Sequence, residues 1–145
     1  MNVVRILAVD LGEKRVGLAL SDPLGYTAQG LETVLVKSKK EVVPGLAAVC
    51  KKHEVGEIVI GLPINMNGSY GPKAEEVRAL MPVLEKAIGV PVRSWDERLT
   101  SRQAGRLMVE EGLSRQKQRS SSDRLAATLI LQSYLESKRM KRGDI

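Results

Sequence analysis

The sequence predicts an α/β protein: a five-stranded mixed sheet, made of a three-stranded meander plus two parallel strands, with helices on both faces. Three observations predict it. The first third of the chain holds three strand-like segments separated only by short turns. The remainder switches between the helical period and short apolar runs, the alternation that produces parallel strands joined by right-handed crossovers. There is no Phe, so the core is built from Val, Leu, Ile and Ala, as suits a sheet buried under helices.

The first strand is Val3–Asp10 (VVRILAVD), a nearly continuous apolar run that ends in an acid. After the turn Leu11–Lys14, Arg15–Ser21 forms the second strand, with Val16, Leu18 and Leu20 alternating with Gly17 and Ala19. Pro23, Gly25 and Gly30 mark a loop, and Leu31–Val36 reads as the third strand. Lys40–His53 then carries Val43, Leu46, Ala47, Val49 and Cys50 at helical spacing. Pro44 is tolerated only in a first turn, so that helix can start near Val42. Glu57–Gly61 is a short buried strand, and Leu62–Pro72 a loop rich in Gly, Asn and Pro. A helix follows from Pro72 to about Ala87, ended by Gly89, and Val90–Trp95 is the fifth strand. Thr100–Glu111 reads as a helix with Thr100 as N-cap. The polar, basic and Ser-rich Leu113–Ser122 reads as a mobile loop, Ser122–Lys138 as the last helix, and the end as a basic tail.

The 145 residues fit one domain, residues 1–145, large enough to close a single core. With one cysteine, Cys50, neither an intrachain disulfide nor a Cys-based metal site can be assembled. No segment approaches the roughly 20 apolar residues of a membrane span, and no cationic leader precedes an apolar stretch, so a cytoplasmic location is expected. Charge is uneven. Residues 1–92 hold 11 Lys and Arg against 10 Asp and Glu, whereas residues 93–145 hold 12 against 7. A basic half of this kind suits phosphate backbones, and equally a solvated surface.

Acids stand at three places suited to chemistry. Asp10 ends the first strand, at the carboxyl edge where open α/β sheets place their sites. An acid there can instead cap the next turn, but turn capping does not call for the arginine of Gly12-x-x-Arg15-x-Gly17. Asp96 and Glu97 end the fifth strand; adjacent residues point to opposite faces of an extended chain, so one of the two is expected to enter a site. Acids there also suit the start of a helix. Asp123 begins a helical stripe continued by Ala126, Ala127, Ile130 and Tyr134, where a carboxylate is costly to bury unless paired or metal-bound. Three hard oxygen ligands point to Mg²⁺ or Mn²⁺. Two such ions about 4 Å apart serve phosphodiester hydrolysis. His53, near a helix end, reads as structural or solvated, and Cys50 as core. Lys138, Arg139, Lys141 and Arg142 read either as a solvated tail or as phosphate contacts.

The motifs Asp10-x-Gly12-x-x-Arg15-x-Gly17-x-Ala19, Gly61-Leu62-Pro63-x-Asn65-x-x-Gly68, Asp96-Glu97-Arg98-Leu99-Thr100-Ser101 and Asp123-x-x-Ala126-Ala127-x-x-Ile130-Leu131-Gln132 together resemble the YqgF/RuvX family, in order and over nearly the whole chain. The resemblance implies a ribonuclease-H-like fold related to the RuvC Holliday junction resolvases. It implies a metal-dependent nuclease for the 5′ end of pre-16S ribosomal RNA, or alternatively a junction resolvase. By motif, Asp10, Glu97 and Asp123 would be the catalytic and metal-binding acids. Arg15 and Arg98 would either pair with the site acids or meet nucleic acid, and Thr100, Lys117 and Arg119 would meet nucleic acid. Lys117 is the candidate for a lysine that the family often carries a few residues before the last acid. Asn67 departs from an aspartate common in that loop. Partners would be structured RNA or branched DNA, with pre-ribosomal particles, and the chain would be a monomer or weak homodimer.

Two other classes compete. Asp-x-Gly followed by a hairpin also opens the sugar kinase and actin-like ATPase fold, but that fold resembles two linked copies of such a domain, and 145 residues leave no second copy. A non-catalytic nucleic-acid-binding protein would use the basic half, yet three acids on one rim would repel phosphate without return.

Overall fold

The computed structural model describes residues 4–99 and 115–142, and side chains within 4–98 and 125–139. The described residues form five strands: β1 (Arg5–Leu11), β2 (Arg15–Ser21), β3 (Ala28–Leu35), β4 (Val55–Leu62) and β5 (Val92–Asp96). They form one sheet in the order β3-β2-β1-β4-β5. The first three are an antiparallel meander, and β4 and β5 run parallel to β1. The mixed sheet expected from the sequence is therefore present. Its ends differ by a few residues. β3 starts at Ala28 rather than Leu31, because Gly30, read as part of a loop, lies in register opposite Ala19. β5 ends at Asp96 rather than Trp95.

Among the described residues three α-helices cover the sheet: α1 (Val42–His53), α2 (Pro72–Ile88) and α3 (Arg115–Arg142). α1 starts at Val42, which leaves Pro44 in the first turn, where a missing N–H costs nothing. Leu7, Val9, Val16, Leu18, Ile58 and Ile60 face α1 and α2 through Leu46, Cys50, Val77 and Leu84. Ile6, Ala8, Ala19 and Val59 face α3 through Ala127, Ile130, Leu131 and Leu135. β1 is buried on both faces, which is why it reads as an unbroken apolar run.

α3 corrects two readings. It begins at Arg115, so the stretch read as a loop up to Ser122 is already helical, and it continues through Arg142, where a tail was expected. Arg, Gln and Lys are good helix formers, and a cluster of serines does not by itself stop a helix. Nor are the first two tail cations simply solvated. Lys138 Nζ donates to Glu57 Oε1 at 2.9 Å, and Arg139 Nη1 to Tyr26 O at 3.0 Å. Tyr134 also donates to the buried Glu57, and burial, then that contact, push its phenol upward. Lys141 and Arg142 are described in backbone only, and the helix expected over Thr100–Glu111 lies outside the described residues.

Candidate active site

The carboxyl ends of β1, β4 and β5 are neighbours, and two of the expected acids meet there. β1 delivers Asp10, in register opposite Gly17. The chain then turns through Gly12, whose N–H donates to Arg15 O at 2.8 Å. A β-carbon on Gly12 would lie 2.5 Å from that same oxygen, so the turn needs glycine.

On the other side β5 ends at Asp96 and the chain tightens into a 3₁₀ turn, Glu97–Leu99. Asp96 is captured by Arg98. Its Oδ1 accepts from the Arg98 backbone N at 2.9 Å, and its Oδ2 accepts from Nε at 2.9 Å and from Nη2 at 2.7 Å. The guanidinium holds the Asp96 carboxyl below its ordinary range. Arg98 Nη1 also donates to Asn65 O at 3.4 Å, tying the β5 end to the β4–α2 loop. Glu97 goes the other way and is hydrogen-bonded to Asp10. Of the adjacent acids, Asp96 is thus held by Arg98 and Glu97 is the one that meets Asp10.

β4 lies between β1 and β5, so Glu97 must cross its end to reach Asp10. The crossing is possible because the residue beneath is Gly61. A β-carbon there would lie 2.8 Å from Glu97 Cγ, 2.9 Å from Cδ and 2.7 Å from Ile130 Cδ1. In the sequence Gly61 stands out only as part of a motif. Its signal was a glycine at the end of an otherwise β-branched strand, which marks close approach.

Burial, then the hydrogen bond and the charge of Asp10, push Glu97 up to about 9, while Lys73 opposes the shift. Two carboxyls in contact can share a hydrogen bond only if one is protonated. Such a pair of hard oxygen donors fits a divalent cation, which would replace the proton and cancel the repulsion. Lys73, which no sequence motif marks, lies in the first turn of α2. Its Nζ is buried with no hydrogen-bond partner among the described residues, 3.8 Å from Glu76 Oε2.

Asp123 lies in α3, and seven residues on, Ile130 packs over Gly61 beside Glu97. From Ile130 to Lys138 the helix runs back toward Glu57 at the start of β4, so its earlier turns extend past the carboxyl rim. Lys117 and Arg119 occupy the first turns of α3, and their side chains, like that of Asp123, lie outside the described ones. Thr100 lies outside the described residues altogether. Arg15 opens β2 on the same rim and is half-buried. His53 ends α1 and takes no part, and Cys50 is buried in the core. Asn67 closes the β4–α2 loop, its Oδ1 accepting from Ser69 N at 3.0 Å and from Ser69 Oγ at 2.6 Å. An aspartate would accept the same bonds.

Comparison with known proteins supplies a family. Residues 4–137 match the family described as RuvX: Holliday junction resolvase. A protein of Pelotomaculum thermopropionicum, named as a candidate pre-16S rRNA nuclease, is 48% identical over 142 residues, covering 97% of this chain and 92% of its own. Its namesake in Clostridium acetobutylicum is 49% identical over 134 residues, covering 92% of this chain and 99% of its own. Among solved structures, the chain resembles T. thermophilus RuvC in complex with a Holliday junction substrate, at TM-score 0.54 and 20% identity over 94% of this chain and 96% of that one. It also resembles the fowlpox virus Holliday junction resolvase, at TM-score 0.56 and 13% identity over 92% of this chain and 99% of that one. At such identities the likeness to the two resolvases is one of fold.

Proposed function

Because this chain belongs to the RuvX family, we propose that it is a metal-dependent nuclease, one domain hydrolysing phosphodiester bonds in structured nucleic acid, and that its substrate is the 5′ end of pre-16S rRNA. The observation that carries the reading is the meeting of the Asp10 and Glu97 carboxyls over Gly61. Two acids pressed together and half-buried destabilise a protein that does not use them. Relatives nearly half identical over almost their whole length, named for pre-16S rRNA, favour RNA as the substrate.

Asp10, Glu97 and Asp123 would hold Mg²⁺ or Mn²⁺. The bound ions would supply an activated water and stabilise the leaving oxygen. Glu97, held up to about 9 by burial and by Asp10, would bind the metal as the carboxylate. Arg98 keeps Asp96 out of the site and holds the β4–α2 loop against it. Arg15 on the rim, with Lys117 and Arg119 from the first turns of α3, would meet backbone phosphates, which carry no sequence information. Thr100 would join them from beyond the turn at Leu99. Among the described residues no helix is long and apolar enough to cross a membrane, and we place the protein in the cytoplasm, as a monomer or weak dimer, acting on pre-ribosomal particles.

A second reading, resolution of four-way DNA junctions, is favoured by the family's own description. Cleavage of labelled pre-16S leader RNA and of labelled four-way junctions, each with Mg²⁺, Mn²⁺ or EDTA, tests both. Metal-dependent cutting that disappears in Asp10→Asn is expected, with RNA preferred. Preference for the junction would favour resolution. Binding of either probe without cutting at any divalent ion would replace both readings by a non-catalytic accessory role.

A further inference from the structure

The sequence places its excess positive charge in residues 93–145, but the fold gathers a second group of cations from the other half of the chain. β3 ends at Leu35, in register opposite Arg15, and Arg15 opens the strand whose neighbour β1 carries Asp10. The β3–α1 connection therefore leaves from the same rim as the carboxylates. Two strand spacings, roughly 10 Å, separate the ends of β1 and β3. Lys37, Lys39 and Lys40 lie in that connection and Lys14 in the adjoining turn, all exposed. The two segments are fastened together, Val36 N donating to Lys14 O at 2.9 Å.

Of the nearby acids, Glu41 and Glu76 are engaged, whereas Glu13 is exposed in the same turn as Lys14. Glu41 Oε1 accepts from the Lys37 backbone N at 3.0 Å, capping the turn. Glu76 stands 3.5 Å from Lys39 and 3.8 Å from Lys73, linking this group to the start of α2 and the neighbourhood of Glu97. The Lys39 side chain is 82% exposed, so its pairing with Glu76 is weak and yields to a stronger anion. An acidic pair at the centre of a rim needs cations beside it if a polyanion is to lie across it.

We propose that Lys14, Lys37, Lys39 and Lys40 form a phosphate track, which carries the nucleic-acid backbone from the Asp10–Glu97 pair toward the β3 edge. The proposal rests on the nuclease reading, and its contacts are independent of sequence. Glu76 is the built-in competitor for this track, because it shares Lys39 with the backbone.

The test is binding of labelled pre-16S leader RNA and of a labelled four-way DNA junction by the full-length protein in EDTA, across a salt series. The triple variant Lys37→Gln, Lys39→Gln, Lys40→Gln is expected to bind about tenfold more weakly, with a salt slope shallower by about 2 to 3. Glu76→Gln is expected to bind about twofold to fivefold more tightly, a gain that misfolding cannot imitate. Unchanged affinity and slope in the triple variant, with wild-type cleavage intact, would overturn the track and leave the nuclease reading standing. The same lysines serving an acidic protein partner would give that result too. Reduced slope and affinity in a protein that cuts neither probe would support the track and overturn the nuclease reading.

Discussion

At Gly61 a methyl group would overlap Ile130 Cδ1 and both Cγ and Cδ of Glu97, at 2.7 to 2.9 Å. Gly61→Ala is expected to lower stability by about 1–3 kcal/mol through overpacking. It should also lower metal-dependent cleavage by about a hundredfold, since a carboxylate moved by an ångström no longer meets its partner. Melting and cleavage on the same preparation check this, and retained activity would show that Glu97 does not reach Asp10 by this route. Glu97 itself makes a pH prediction. Its folded value of about 9 lies above the ordinary 4.5. Between those values the folded protein keeps a proton that the unfolded chain has lost, so stability without metal falls as pH rises from about 5 to 9. Glu97→Gln removes that dependence and the repulsion together. In EDTA at pH 8 it should melt higher than wild type, with a flatter profile from pH 5 to 9, while cleavage is lost. A Gln variant that melts lower would refute the like-charge account. Loading the wild-type site should release a proton, measurable as a buffer-dependent heat of Mn²⁺ binding.

α1 is capped by Glu54, held at φ 53°, whose N–H donates back to Cys50 O. This left-handed position costs a residue with a β-carbon about 1 kcal/mol, and glycine adopts it without strain. Glu54→Gly should therefore raise stability by about 0.5–1 kcal/mol, read from denaturant midpoints. A fall in the midpoint would mean that the side chain contributes more than its backbone costs. β1 offers the opposite case. Its pairing with β4 shifts register between Arg5 and Ile6, and the freed Ile6 N–H donates to Ser21 Oγ at 2.8 Å, wholly buried. Ser21→Ala leaves that donor unpaired and should cost about 1–3 kcal/mol, measured the same way. These elements were legible to different degrees. The strands could be read because β1, β2 and β4 are largely apolar runs whose burial is two-sided. The start of α3 could not, because polar residues carry no facing pattern and three serines in a row imitate a loop. The bulge was invisible, since nothing in Arg5-Ile6 announces a lost partner that Ser21 restores from another strand.

Across the whole molecule, one sheet separates two apolar layers, and the candidate site occupies the rim where both layers stop. That division explains what the sequence could say about the site. Asp10 was legible because it interrupts an apolar strand, but Glu97 could not be separated from Asp96 until Arg98 was seen to hold the latter. The α1–α2 layer also holds Cys50, 4% exposed, whose thiol burial pushes from 9.0 to about 11. At neutral pH this leaves about a hundredfold less thiolate than in an exposed cysteine, so the folded protein should be almost inert to thiol reagents. Labelling must then pass through opening of the layer between α1 and the sheet. If the layers form one cooperative unit, that opening is global unfolding, and the labelling rate scales with the unfolding equilibrium. Gly61→Ala, destabilised by about 2 kcal/mol at the far rim, should then accelerate labelling of Cys50 roughly thirtyfold. Glu97→Gln in EDTA at pH 8 should slow it, and Mn²⁺ in excess should slow it for wild type alone. Labelling that ignores all three changes would mean that α1 opens by itself, and that the rim and the α1 layer are not coupled through the sheet.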